Sequence, residues 1–210
     1  MKRDTEDKTE AEDKIIRALC LAGLAFFFVW GVITIAVRDN ELIFDRFYSA
    51  AIMLAAYLFY RRMHLRLPAL LLAFAVLFLH HLKLYGQTYY GFLQFDMIMH
   101  FAAGAALAVI FYQYLSYDHS RLWSAVMALL VAVGIGSLSE IMEYVGYYLL
   151  GPGEGLLFYG EGDFGEYADV AWDMMMNTAG AFAAAACSAL SGVFILRGKK
   201  RQRKGKNKKG

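Results

Sequence analysis

Two carboxylates and one amide in the last apolar stretch of the chain have a spacing suited to chemistry. Asp169, Asp173 and Asn177 fall four residues apart, so on a helix they lie along one face. The stretch around them is otherwise apolar, and a carboxylate at the centre of a membrane helix costs about 2.5–3.5 kcal/mol on an insertion scale. We therefore expect these side chains to meet polar partners on other helices.

Two earlier stretches carry ionisable side chains at similar helical spacings. Asp96 and His100 are four residues apart, and Glu140 and Glu143 are three apart, so each pair shares one helical face. Asp, Glu and His side chains from facing helices build the metal centres of helix bundles. Carboxylate oxygens suit Mg²⁺ or Mn²⁺, and an imidazole ligand also admits Zn²⁺.

The sequence thus predicts one site with a divalent metal ion as its candidate cofactor. The predicted metal ligands are Asp96, His100, Glu140, Glu143, Asp169 and Asp173. In a hydrolase or transferase, Glu140 or Glu143 would act as the base, and His100 as a ligand or proton donor. Two structural alternatives remain open, in which Asp96 and His100 only cap and fill a helix start and Asp169 only complements a helix dipole.

The composition places these residues in a membrane protein. The 210 residues are 59% hydrophobic with a mean hydropathy of +0.41, whereas soluble domains are about 45–50% apolar. The pattern predicts an all-α bundle of about six transmembrane helices, and the two cysteines suggest no disulfide framework. The predicted spans are residues 18–37, 42–60, 65–82, 96–117, 122–150 and 168–196.

The distribution of basic residues predicts the orientation of the bundle. Eighteen of the 21 Lys and Arg residues lie in the two tails and in the loops after the second and fourth spans. Cytoplasmic segments are rich in these residues, so we expect a multi-pass protein of the plasma (inner) membrane with both termini in the cytoplasm. With this orientation, the ionisable groups of the spans fall in the outer third of the bilayer.

Three segments follow from this topology. Residues 1–17 form a polar cytoplasmic tail, residues 18–196 the membrane domain, and residues 197–210 a polybasic cytoplasmic tail. The last segment is expected to contact anionic lipids. Nucleic acid is not an expected partner, because no folded reading domain accompanies the basic run.

Two further features border the predicted site. His80 and His81 end the third span; only one of them can face the site, and the sequence favours His80 only slightly. Residues 151–167 contain six glycines interleaved with aromatic side chains. This loop is either a lid on the headgroup layer or a plain interfacial loop.

Three motifs in order carry a family resemblance. They read D-x3-HF-x2-G in residues 96–104, SE-x2-E in residues 139–143 and D-x3-D-x3-N-x2-G in residues 169–180. The region 92–186 resembles the YjdF-like family of bacterial inner-membrane proteins and, more distantly, the VanZ-like family. The resemblance implies a multi-span membrane protein of unknown function, and the VanZ-like likeness implies a role at the cell envelope, including glycopeptide tolerance.

Three functions are compatible with these features. The first is a metal-binding site in the outer part of the bilayer that acts on a lipid-linked or envelope substrate. The second is a proton-coupled transporter, which the uncharged stretch after Asn177 disfavours because it offers no polar path across the membrane. The third is a structural or partner protein in which the polar groups only fix the packing of the helices.

Overall fold

The computed structural model describes residues 2–37, 42–82, 84, 88–89, 93–150 and 166–191. Within these ranges the chain forms six α helices and one pair of two-residue strands. The elements are α1 Lys2–Val37, α2 Ile43–Phe59, α3 Leu67–His80, β1 Thr88–Tyr89, β2 Leu93–Gln94, α4 Phe95–Ser116, α5 Arg121–Leu150 and α6 Glu166–Ser191. The predicted helical class is confirmed. The antiparallel pair β1–β2, which aligns Thr88 with Gln94, was not predicted.

Three helices among the described residues are long and apolar enough to cross a membrane. The crossing segments are Glu10–Val37, Phe95–Ser116 and Arg121–Gly146. Helix α3 is apolar but has only 14 residues, about 21 Å of helix against a hydrocarbon core of about 30 Å. The bundle is therefore that of a membrane protein, whereas the number of spans and the side of each terminus stay predictions.

Helices α1, α2 and α3 form the first half of the bundle. Their shared core is apolar, and Cys20, Phe27, Met53 and Leu70 are almost fully buried in it. Helix α3 begins with a proline in its first turn, where the missing amide hydrogen costs no helical hydrogen bond. This half joins the rest of the described structure mainly through the contact of α3 with α4.

Helices α4, α5 and α6 form the second half, and their backbones approach closely. A Cβ atom added at Gly104 would collide with the backbone carbonyl of Asn177, and one added at Gly180 would collide with that of Phe101. The three helices also meet through small side chains that are almost fully buried: Ala108, Ala128, Ala132, Ala181 and Ala185. Such packing is typical of helices in membranes, and it sets the starts of α4 and α6 side by side.

The polar start of the chain is helical and forms hydrogen bonds with the loop between α2 and α3 and with the start of α3. Asp13 accepts a hydrogen bond of 3.0 Å from the guanidinium of Arg61, and Glu12 accepts one of 3.2 Å from the backbone amide of Leu67. Gln113 of α4 accepts another from the amide of Arg66 at 3.1 Å. The predicted tail 1–17 therefore continues into the first apolar helix, and the predicted division of the chain into three segments stays a prediction.

Candidate metal centre

His100, in the second turn of α4, lies among carboxylates from three helices. Its Nε2 atom is 3.4 Å from Oδ1 of Asp96, one turn earlier on α4, and 3.7 Å from Oδ1 of Asp173 on α6. Its Nδ1 atom is 3.2 Å from Oε1 of Glu140 on α5. Glu140 and Asp173 are 5% and 4% exposed, so the cluster lies inside the bundle.

Asn177 reaches the same imidazole from α6, one turn beyond Asp173. Its Nδ2 atom is 3.0 Å from Nδ1 of His100. A neutral imidazole accepts this hydrogen bond at Nδ1, whereas an imidazolium donates from Nδ1 to Glu140. Gly136 on α5 leaves room for the side-chain amide of Asn177, because a Cβ atom at position 136 would come 3.0 Å from the Cγ atom of Asn177.

The cluster contains two overlapping groups of possible metal ligands. Asp96, His100 and Asp173 form one, and His100, Glu140 and Glu143 form the other, with the ligand atoms of each group within 4.8 Å of one another. Ligand atoms that share one ion at about 2.0–2.2 Å lie slightly closer together than this. Small side-chain movements would therefore close either group around a cation.

Charge balance also favours a cation at this position. Asp96 and Asp173 both approach Nε2 of His100. Glu140 and Glu143 add two more acids, and His100 is the one base among the five. In low-dielectric surroundings four carboxyl groups cannot all ionise unless positive charge accompanies them.

A second polar cluster lies between α1, α2 and α3, and sequence reasoning gave it no role. Asp45 and Arg46 begin α2 and are 1% and 2% exposed. Arg46 donates a hydrogen bond to the hydroxyl of Thr34 on α1, and its guanidinium lies 4.9 Å from the ring centre of Trp30. The signal that could have revealed this cluster is an adjacent acid and base at the start of an apolar helix.

The two histidines at the end of α3 have different surroundings. His81 is 2% exposed, faces Trp30 with the ring centres 5.3 Å apart, and bonds to the hydroxyl of Ser49 at 3.0 Å. His80 places Nε2 3.3 Å from Oδ2 of Asp45. Which of the two histidines faces the predicted site stays a prediction.

Five of the six predicted site residues come together in the structure: Asp96, His100, Glu140, Glu143 and Asp173. Their roles as ligands or catalysts stay predictions. The backbone of Asp169 lies in the first turn of α6, and its side chain is outside the described structure. Residues 151–165 of the predicted lid 151–167 and the whole polybasic tail 197–210 are also outside it.

Fold and site together define a membrane helix bundle with a buried carboxylate–histidine cluster. Residues 16–192 match the model of a family described as predicted membrane protein, DUF2238, and the chain belongs to this family. The match covers the apolar part of α1 and all five later helices. No curated protein and no solved structure matched the chain. The narrower resemblance to the YjdF-like and VanZ-like families stays a prediction.

Proposed function

We propose that this protein binds a divalent metal ion at the His100 cluster and acts on a lipid-linked or cell-envelope substrate. The observation that carries the proposal is the approach of three carboxylates, from three different helices, to within 3.2–3.7 Å of one imidazole. Packing alone does not require this arrangement, because buried acids without compensating charge destabilise a protein.

The two nitrogens of His100 suggest separate roles for the acids around them. Nε2 faces Asp96 and Asp173, which makes these three residues the better ligand set. Nδ1 faces Glu140, and metal-bound histidines commonly donate their second N–H to a carboxylate, which orients the ring. Glu143 belongs to the same cluster and is left as the candidate base.

A cation bound there would supply Lewis acidity or lower the pKa of a bound water. The chain's own residues would then act around it. Glu143 would take the proton of the attacking group, and Glu140 would hold the imidazole in place by accepting the hydrogen of its Nδ1 atom. This division of roles describes a hydrolase or transferase.

The proposed substrate follows from the expected topology. If both tails are cytoplasmic, as their excess of basic residues predicts, the start of α4 would lie near the outer face of the plasma membrane. Polar headgroups of lipids and lipid-linked envelope precursors are the molecules that reach this depth from outside. The resemblance to the VanZ-like family points to the same compartment, and the polybasic tail adds an expected contact with anionic lipids on the cytoplasmic side.

The metal-binding part is tested by thermal unfolding of the purified protein in nanodiscs. After EDTA treatment, addition of Mg²⁺, Mn²⁺ or Zn²⁺ should raise the melting temperature, because a ligand that binds only the folded state stabilises it. The variant Asp173→Asn should lose most of this rise, whereas Asp118→Asn, an exposed carboxylate in the α4–α5 loop, should retain it. Absence of any metal-dependent rise in the unmodified protein refutes the proposal.

A proton-coupled carrier is the second candidate, and one observation favours it. The buried hydroxyls of Tyr112 on α4 and Ser188 on α6 have no hydrogen-bond partner among the described residues. Tyr112 lies 12 residues after His100, about 18 Å along the helix. Polar groups therefore occur at both ends of the contact between α4 and α6. Metal- or proton-dependent uptake into proteoliposomes would distinguish a carrier from an enzyme.

A further inference from the structure

We propose that Asn177 decides which nitrogen of His100 binds the metal ion, because its amide occupies Nδ1 and leaves Nε2 for the ion. This inference rests on the proposed metal-binding function and names the atom through which the imidazole binds. It adds a positioning residue, which acts on the ion only through His100.

The side-chain amide of Asn177 occupies the position from which an ion would reach Nδ1 of His100. Its Nδ2 atom is 3.0 Å from Nδ1, and the residue is 3% exposed. A metal ion binds an imidazole nitrogen at about 2.0–2.1 Å, on the side of its lone pair. Amide and ion therefore compete for the same side of the ring, and the ion could bind Nδ1 only after the amide had moved away.

The packing of α6 against two other helices opposes such a movement. The carbonyl group of Asn177 would collide with a Cβ atom at Gly104 on α4, and its Nδ2 atom would come 3.1 Å from a Cβ atom at Gly136 on α5. The backbone and the side chain of Asn177 thus each pack directly against a glycine of a neighbouring helix. The close approach of the three helices therefore holds the amide against the imidazole.

Both orientations of the amide keep Nδ1 of His100 in a hydrogen bond. When Nδ2 of Asn177 donates to the lone pair of Nδ1, the hydrogen of the neutral imidazole lies on Nε2. Half a turn about the Cβ–Cγ bond exchanges Nδ2 with Oδ1 in the same volume, and Oδ1 then accepts a hydrogen from Nδ1. Only this second orientation leaves a lone pair on Nε2, so binding of an ion at Nε2 requires the amide to turn.

The carboxylates around the two ring nitrogens fit this division. Nε2 lies 3.4 Å from Oδ1 of Asp96 and 3.7 Å from Oδ1 of Asp173, and both oxygens could bind the same ion. Nδ1 lies 3.2 Å from Oε1 of Glu140, which can accept the same hydrogen as the turned amide. Of the two overlapping groups of possible ligands, Asn177 therefore leaves open the one that contains Asp96 and Asp173.

Nuclear magnetic resonance with cadmium identifies the bound nitrogen directly. The purified full chain, with ¹⁵N-labelled histidines, is reconstituted in lipid, stripped with EDTA and loaded with one equivalent of ¹¹³Cd²⁺ as a probe for Zn²⁺. A coupling between ¹¹³Cd and a ring nitrogen shows which nitrogen binds, and the signals of His100 are those missing from His100→Gln. We expect coupling to Nε2, with a hydrogen on Nδ1.

The variant Asn177→Ala tests the role of the amide. Coupling to Nδ1 should appear in this variant, because ions can then enter the group formed by His100, Glu140 and Glu143. The matched control is Thr178→Ala, which changes the next residue of α6, an exposed side chain that bonds to its own helix. The control should keep the coupling on Nε2 alone. A general packing defect would weaken binding without changing the nitrogen that binds.

The outcomes distinguish this inference from the proposed function. Coupling to Nδ1 in the unmodified protein overturns the role of Asn177, and so does an Asn177→Ala variant that binds through Nε2 alone. The metal site itself stands in both cases. Failure of the unmodified protein to bind an ion through His100 overturns both proposals. Should Asn177→Ala not fold, the unmodified protein still decides, because its bound nitrogen is identified without any change at Asn177.

Discussion

Replacing Gly180 by alanine should separate two helices that now touch through their backbones. The added Cβ atom would fall on the backbone carbonyl of Phe101, an atom that no change of side-chain rotamer can move away. Helices α4 and α6 would have to shift apart at this crossing. Asn177, three residues before Gly180, would then lose its 3.0 Å contact with His100.

The size of the effect follows from the kind of collision. Overpacking a well-packed core by one methyl group costs about 1–3 kcal/mol of unfolding free energy, and contact with rigid backbone argues for the upper part of this range. For a chain of this length, 1–3 kcal/mol corresponds to a melting temperature lower by about 2–12 °C. Metal-dependent stabilisation should fall as well, because Asp173 moves together with α6.

Thermal unfolding in nanodiscs, with and without Zn²⁺, measures both effects. Gly134→Ala on α5 is the matched control, because a Cβ there has nothing within 4 Å and alanine favours a helix over glycine. The control should therefore leave the melting temperature unchanged or raise it. If Gly180→Ala melts within about 1 °C of the unmodified protein, the close approach of α4 and α6 is wrong.

Two further substitutions test the first half of the bundle by the same unfolding assay. Arg46→Ala should lower the unfolding free energy by about 3–5 kcal/mol, because the adjacent buried Asp45 loses its compensating charge and Thr34 loses a hydrogen-bond donor. The control is Arg62→Ala, which changes an exposed arginine. Equal losses of unfolding free energy in the two variants would contradict the buried position of Arg46. Asp13→Asn should change the melting temperature by less than about 2 °C, since its partner Arg61 is largely exposed; a larger drop would show that this ion pair is held more firmly than its exposure indicates.

Spacing along single helices was enough to find most of the His100 cluster. The four-residue step from Asp96 to His100 and the turn from Asp173 to Asn177 each placed two polar groups on one face, and the structure sets these faces against each other. The predicted topology added the depth of each polar group in the bundle, because it put the polar ends of α4, α5 and α6 at the same level. Both signals depend on residues that lie close together in the sequence, so they can be recognised without a structure.

The second polar cluster depends on contacts that no local spacing contains. Arg46 donates a hydrogen bond to Thr34, twelve residues earlier on a different helix, and Asp45 contacts His80, 35 residues later. Nor could the sequence decide between His80 and His81, because adjacent residues differ only in the direction they face, and that direction depends on where α1 and α2 pack.

Helix boundaries show where apolar runs and helices differ. The predicted second span, 42–60, agrees closely with α2, but α1 begins at Lys2 and not near residue 18. The apolar run marks the part suited to a membrane, while the start contains Glu and Lys residues, which favour a helix, and a Glu10–Lys14 pair at 2.9 Å. A helix can therefore continue well past the end of its apolar stretch.

Helices α1 and α2 are fastened to each other at both ends. Arg46 at the start of α2 bonds to Thr34, and Arg61 just after its end bonds to Asp13. Sliding one helix along the other would break both polar contacts at once, and the buried bond of Arg46 to Thr34 opposes this motion more than the exposed Arg61–Asp13 pair does. Any hinge between the two halves of the bundle would fall at the contact of α3 with α4.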